Sequence, residues 1–216
     1  MAPETTHFET PRNLRVSHFT PNDIAPTHCW MALHGYGQLA PYFIRKFDVL
    51  GEAEHAVCAP EGPHRFYLQG FSGRVGASWM TKEDRLTDIA DNHRYLNSVW
   101  QEFVLNKKPQ IKVALGFSQG AATLVRWACQ SPIPPDHLVI WSGSFPEDIN
   151  WFTDVQKLNT MRLKIVVGTE DEFISELALQ EQSERLQSRG LQFELIRFEG
   201  GHDIPREELL SITRLL

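Results

Sequence analysis

The sequence predicts an α/β fold: a mostly parallel central sheet of about seven strands with helices on both faces. Two observations carry that prediction. Seven short apolar or β-branched runs recur along the chain, and helical patterns fall between them. Glycine-rich turns follow several of these runs at their C-terminal ends, where open α/β sheets gather catalytic and ligand groups. At 216 residues the chain is most economically a single domain over 1–216, large enough for a well-buried core.

The elements follow in order. Strands are expected over residues 12–19 and 28–33, joined across Thr20-Pro21-Asn22-Asp23. That link is too short for a helical crossover, so the pair should be antiparallel. A third strand covers 55–59. Residues 60–80 read as an irregular loop with four glycines, two prolines, Phe66, Tyr67, Phe71 and Trp79. A loop of this length in a compact domain is usually functional, and its aromatics favour packing near a site. Thr81-Lys82-Glu83-Asp84 forms a possible capping box for a helix with Leu86, Ile89, His93, Leu96, Trp100 and Phe103 on one stripe. Strands follow at 111–115 and 138–141. Residues 142–161, with Phe145, Trp151 and Phe152, have room for a short flap but for no cap domain. A strand at 163–167 precedes a charged helix that begins after Ser175 and stops at Gly190. A strand at 192–198 and a helix over 205–216 close the chain.

The most informative motif is Gly116-Phe117-Ser118-Gln119-Gly120, directly after Ile111-Lys112-Val113-Ala114-Leu115. A strand that ends in G-x-S-x-G and turns into a helix is the nucleophile elbow of the α/β-hydrolase fold. The turn strains Ser118, and the flanking glycines carry no Cβ to clash with it. Acid and base should follow in the order Asp or Glu, then His. After the strand at 163–167 comes Gly168-Thr169-Glu170-Asp171-Glu172-Phe173. Of its three carboxylates Asp171 is chosen, because a short side chain three residues past the glycine can turn back toward an imidazole. Glu170 and Glu172 then read as solvated charges. The next strand ends in Glu199-Gly200-Gly201-His202-Asp203-Ile204. Of nine histidines only His202 follows both Ser118 and Asp171 on such a loop, and His64, in the long loop, is a weaker competitor. The strand Cys29-Trp30-Met31-Ala32-Leu33 runs into His34-Gly35-Tyr36-Gly37. Taken alone, this is an ordinary glycine-rich turn with His34 bonded locally. In an elbow fold it is also where one oxyanion donor resides, here the Tyr36 N–H, with the other on Gln119 after the nucleophile.

Four such features in this order resemble the phospholipase/carboxylesterase family of small α/β-hydrolases, which includes acyl-protein thioesterases. The matching stretches are Leu33-His34-Gly35-Tyr36-Gly37, Gly116-Phe117-Ser118-Gln119-Gly120, Gly168-Thr169-Glu170-Asp171 and Gly201-His202-Asp203-Ile204. The resemblance implies a Ser118–His202–Asp171 triad with oxyanion donors at Tyr36 and Gln119. The chain departs from the family pattern at Gln38, where members carry Asp, and at Ala121, where they carry a second Gly. It departs again at Trp79-Met80-Thr81, where they carry Trp-Phe-Asp. These positions lie where substrate would touch the enzyme.

Composition bounds the rest. A net charge of -6 without a Lys/Arg cluster argues against nucleic acid and anionic membrane surfaces as partners. The first residues carry neither a basic region nor an apolar one, so no signal peptide is expected. The longest uncharged run, 113–125, is too short to span a bilayer, and no stable membrane insertion is expected. Cys29, Cys58 and Cys129 read as reduced, buried residues of a cytoplasmic protein. No C-x-x-C or H-E-x-x-H occurs, so no metal site is indicated.

The chain thus reads as a cytoplasmic serine esterase that needs no cofactor. It would cleave short-to-medium acyl esters of a small-molecule or acylated substrate through an acyl-enzyme on Ser118. Trp79, Phe71 and Phe145 are expected in the acyl pocket, and the protein is expected to be a monomer or homodimer. A thioesterase on acylated protein or carrier thiols would use the same residues, and a catalytically silent small-molecule-binding module is the rival from another class.

Overall fold

The computed structural model describes residues 3–21, 25–53 and 55–216. In chain order the elements are β1 (Val16–Phe19), β2 (His28–Leu33), α1 (Ala40–Phe43) running into a 3-10 helix (Ile44–Ala53), and β3 (His55–Pro60). Next come β4 (His64–Gln69), β5 (Ser72–Ser78), α2 (Arg85–Phe103), β6 (Ile111–Phe117), α3 (Gln119–Gln130) and β7 (His137–Trp141). The chain closes with α4 (Asp154–Leu158), β8 (Arg162–Gly168), α5 (Glu176–Ser188), β9 (Glu194–Phe198) and α6 (Arg206–Thr213).

Seven strands form one sheet in the order β1-β3-β2-β6-β7-β8-β9. All neighbours are parallel except β1, which runs antiparallel to β3 with Val16 opposite Pro60 and Phe19 opposite Val57. The expected β1–β2 pair is therefore corrected. Both edges of β2 are taken, by β3 and β6, so β1 pairs on the free side of β3. Residues 22–24 of the short link lie outside the described residues.

A second correction concerns 60–80, which is an ordered antiparallel hairpin of β4 and β5 and no irregular loop. Gly70-Phe71 is its two-residue turn, with Gly70 at φ 62, as hairpins with glycine at the first central position require. The base of the hairpin docks on the loop after β2. Gly37 N–H donates to Ala77 O (2.8 Å) and Ala77 N–H to Gln38 O (3.1 Å). A Cβ on Gly76 would meet Gly37 O at 2.5 Å, so this approach needs glycine.

The helices differ in how they begin. α5 starts as its sequence indicates, with Ser175 Oγ accepting from Ala178 N–H (3.2 Å). It ends in paired bonds from Gly190 N–H to Gln187 O and from Leu191 N–H to Leu186 O, a Schellman closure. The capping box at Thr81 is not formed. Asp84 is the residue before α2, and Thr81 Oγ1 donates to Glu83 O instead. The buried face of α2 is Asn92, Leu96, Val99 and Trp100, while Leu86 is exposed.

Each face of the sheet carries its own core. Trp79, Trp100 and Trp127 pack on one side, and Trp30, Phe43, Phe47 and Trp141 on the other. Burying each such side chain contributes roughly 1.5–3 kcal/mol, provided its polar atom is satisfied. Here every indole N–H donates. Trp141, for example, reaches Asp203 O (2.8 Å) and so ties the sheet to the loop after β9. The stretch after β7 holds only the short α4, and there is no cap domain over the C-terminal ends of the strands. No helix among the described residues is long and apolar enough to cross a membrane.

Candidate active site

The elbow between β6 and α3 holds Ser118 at φ 54, ψ -118, a conformation rare for a residue with a side chain. The surrounding backbone over-determines it. Ser118 N–H donates to Trp141 O (2.9 Å), and Ala121 N–H donates to Ser118 O (3.0 Å). A Cβ on Gly116 would lie 2.6 Å from Ala121 Cα, and one on Gly120 would lie 2.5 Å from Leu33 O. Strand and helix can cross this closely only through those glycines.

His202 and Asp171, 31 residues apart in sequence, meet as a hydrogen-bonded pair, with His202 Nδ1 at 3.0 Å from Asp171 Oδ1 and 2.9 Å from Oδ2. The Asp171 side chain is fully buried. Its Oδ1 also accepts from Phe173 N–H (2.9 Å) and Ile174 N–H (3.2 Å). Burial pushes its carboxyl up, but the hydrogen bonds from His202 and Phe173 outweigh that and hold it below the ordinary carboxylate value. A carboxylate can only accept, so His202 Nδ1 carries the proton and Nε2 is left as the basic nitrogen. The imidazole packs against Phe117 and, edge-on, against Phe173, at 4.8 and 4.6 Å between ring centres. Ser118 and His202 line one cavity of about 470 Å³.

The loop after β2 is held from three sides. Gly62 N–H donates to His34 Nε2 (2.9 Å), so His34 Nδ1 carries the proton and donates to Gly35 O (2.7 Å). Gly35 N–H donates to Gln38 Oε1 (2.9 Å). The fully buried Trp79 then bridges this loop to the elbow. Its Nε1 donates to His34 O (2.8 Å), and its backbone N–H donates to Gln119 Oε1 (3.1 Å). Among the described residues neither the Tyr36 nor the Gln119 N–H has a protein acceptor. The Tyr36 ring is exposed and packs on Phe66.

The expected acyl-pocket residues are corrected. Trp79 and Phe145 are buried in the core, Phe145 against Trp151, and Phe71 stands exposed at the hairpin tip. None of the three lines the cavity, whose apolar wall is Met80, Ala122, Phe173 and Ile174. Trp79 and Phe145 are drawn into the core, where their surface is taken out of water behind the site. His64 pairs with Asp88 (3.0 Å) away from the cavity. The sequence reading also passed over three cations on the cavity wall, Lys82, Arg85 and Arg126, and over Ser142. Ser142 sits at φ 46 directly after β7, buried beside Asp171 with no hydrogen bond of good geometry to its hydroxyl.

A family model described as serine hydrolase (FSH1) matches residues 27–212. The chain belongs to the FSH1 serine hydrolase family. No curated protein sequence matches it. Similar solved structures include esterases and a thioesterase. The crystal structure of acyl-protein thioesterase 2 from Zea mays is 19% identical, covers 93% of this chain and 96% of its own, and has a TM-score of 0.71. Esterase PE8 is 20% identical, with 94% and 98% covered and a TM-score of 0.69. The carboxylesterase of Bacillus cereus is 14% identical, with 94% and 92% covered and a TM-score of 0.65. These likenesses establish the α/β-hydrolase fold of this FSH1-family chain.

Proposed function

We propose that this FSH1-family chain is a cytoplasmic hydrolase of short-to-medium carboxylic acyl esters, acting through an acyl-enzyme on Ser118. The observation that carries the reading is the His202–Asp171 pair opening onto the same cavity as a serine held at φ 54 on a strand–helix elbow. His202 Nε2 takes the Ser118 proton as Oγ attacks the acyl carbon. Asp171 holds the ring in the required tautomer and stabilises the imidazolium that forms. The unpaired N–H groups of Tyr36 and Gln119 receive the negative charge on the carbonyl oxygen, each worth ~2.7–4 kcal/mol in related chemistry. His202 then protonates the leaving group, and water attacks the acyl-enzyme by the same base catalysis. A thiol leaving group would use the same atoms. The three free, buried cysteines suit a reducing compartment.

A fluorophosphonate probe should label the native protein at Ser118 and leave Ser118→Ala unlabelled. Hydrolysis of p-nitrophenyl butyrate should fall in parallel by several orders of magnitude, to the residual rate from the oxyanion donors. Near-native turnover by a folded Ser118→Ala protein would reject the assignment.

A further inference from the structure

The wall of the catalytic cavity is charged in a way that simple acyl transfer does not require. Lys82, Arg85 and Arg126 line it together with Ser118 and His202, and among the described residues no carboxylate does. One acid stands behind these cations: Arg126 Nε reaches Asp148 Oδ1 (2.9 Å), and Arg85 pairs with Asp148 Oδ2. One negative charge cannot balance three positive ones, and Lys82 has no ion-pair partner among the described residues. The neighbouring His93 adds nothing, because burial and then the Arg126 charge keep it neutral. Set against Asp148 and the Asp171 carboxylate behind His202, the three cations still leave the cavity positive, in a chain whose net charge is -6. A cleft lined by charges of one sign concentrates ligands of the other.

The placement fits a substrate that reaches from the serine to the cations. Ser118, Ala122 and Arg126 lie on one face of the elbow helix at four-residue steps, so Arg126 stands ~12 Å along the axis from the nucleophile. Side chains on a helix lean toward its N-terminus, which brings the guanidinium back toward Ser118. Met80, Ala122 and Ile174 give apolar wall, and Thr81, Thr123 and Ser144 bring hydroxyls into the same lining.

We propose that Lys82, Arg85 and Arg126 form a subsite for an anionic group, a carboxylate or phosphate, carried by the ester or thioester being cleaved. The proposal rests on the acyl-hydrolase reading above. The anion can be the far end of a dicarboxylic acyl chain or part of the leaving group, and each source has its own test.

On the acyl side, kcat/KM is compared for p-nitrophenyl butyrate and the mono-p-nitrophenyl esters of succinate, glutarate, adipate and suberate. On the leaving-group side, butyryl-coenzyme A is compared with the butyryl thioester of N-acetylcysteamine. One arm should favour its anionic member by about tenfold or more, as expected for a charge-assisted hydrogen bond. The anionic-to-neutral ratio should collapse in Arg85→Gln and in the charge reversal Lys82→Glu, and should shrink with added salt. Lys82 is exposed, so Lys82→Glu remains informative if removing Arg85 frees Asp148 and impairs folding. Equal rates on both members of both arms would overturn the subsite, as would a preference that neither variant alters. If neutral p-nitrophenyl butyrate is not turned over and Ser118 is not labelled, the hydrolase reading itself has failed. The subsite is then read from binding of free glutarate, which Lys82→Glu should abolish and whose absence in the native protein would refute it.

Discussion

Asp171 is flanked by two glutamates, and the structure separates the three by what they touch. Asp171 is buried on His202 Nδ1, whereas Glu172 Oε2 reaches only the His202 backbone N–H, at 3.3 Å. Asp171→Asn should therefore lower kcat on p-nitrophenyl butyrate by as much as ~10⁴, because an amide can stabilise the wrong imidazole tautomer, as in a well-studied serine protease. Glu170→Gln and Glu172→Gln should stay within about tenfold. A steady-state comparison of the three variants decides, and a severe loss in either Glu variant would move the acid. At this scale the sequence was legible wherever chemistry restricts residue type. Ser118, Asp171 and His202 each follow a strand, and two of the three sit in motifs with glycine at fixed offsets. The aromatic assignments failed because a large apolar side chain near a site can either line it or be buried behind it. Trp79 and Phe145 are buried, and only three-dimensional packing distinguishes those outcomes. Ser142 and the three cations carried no motif at all. Arg85 and Arg126 come from different helices and Lys82 from the segment before α2, and nothing in their spacing shows that they converge.

Among the elements, the hairpin and the loop after β2 form one working unit joined to the elbow by Trp79. Trp79→Phe removes the donor to His34 O while keeping most of the ring volume. It should cost about 1–3 kcal/mol in stability, since that carbonyl loses its partner. It should also lower kcat about tenfold or more with little change in KM, because small misplacement of preorganised donors is expensive. Chain-length preference should be unaltered, since Trp79 does not line the cavity. Denaturant melts and kinetics on p-nitrophenyl esters of increasing length test all three points, and a flattened chain-length profile would return Trp79 to the pocket. The hairpin was missed because Val75 is the one β-branched residue in its strands and stands between Gly73 and Gly76, and glycines scattered through a segment suggest a loop. The turn Gln69-Gly70-Phe71-Ser72 did carry the hairpin signal, a glycine opening a two-residue connection. The partner of β1 was beyond reach, because short links constrain direction but not which edge is free.

For the whole molecule, the buried histidines set the behaviour in acid. His55 and His137 lie at the N-terminal ends of their strands, opposite the active site, and burial lowers each to about 4. Unfolded, each titrates near ~6.5, so below that value the unfolded chain binds protons that the folded one refuses. Stability should therefore fall as pH drops from ~6.5 toward ~4. Asp171 and Glu61 add to the loss once pH reaches the ordinary carboxylate range, where the unfolded chain takes up protons that their depressed folded carboxyls refuse. Thermal melts from pH 7 to about pH 4.5 should show a steep decline in Tm, shallower in a His55→Gln/His137→Gln variant, and a flat native profile would contradict the account. The alternating pattern made the strands themselves readable, because buried parallel strands such as β2, β3 and β7 need a continuous apolar run. The docking of the hairpin on the loop after β2 has a consequence of another kind. Gly37 and Ala77 each give their amide hydrogen across that junction, and Trp79 gives its own to the elbow. In native-state hydrogen exchange these three amides should share one opening free energy, higher than that of the hairpin tip. Such a result would mark these loops as a single cooperative unit that is lost together, leaving no population in which the proposed oxyanion donors are half in place.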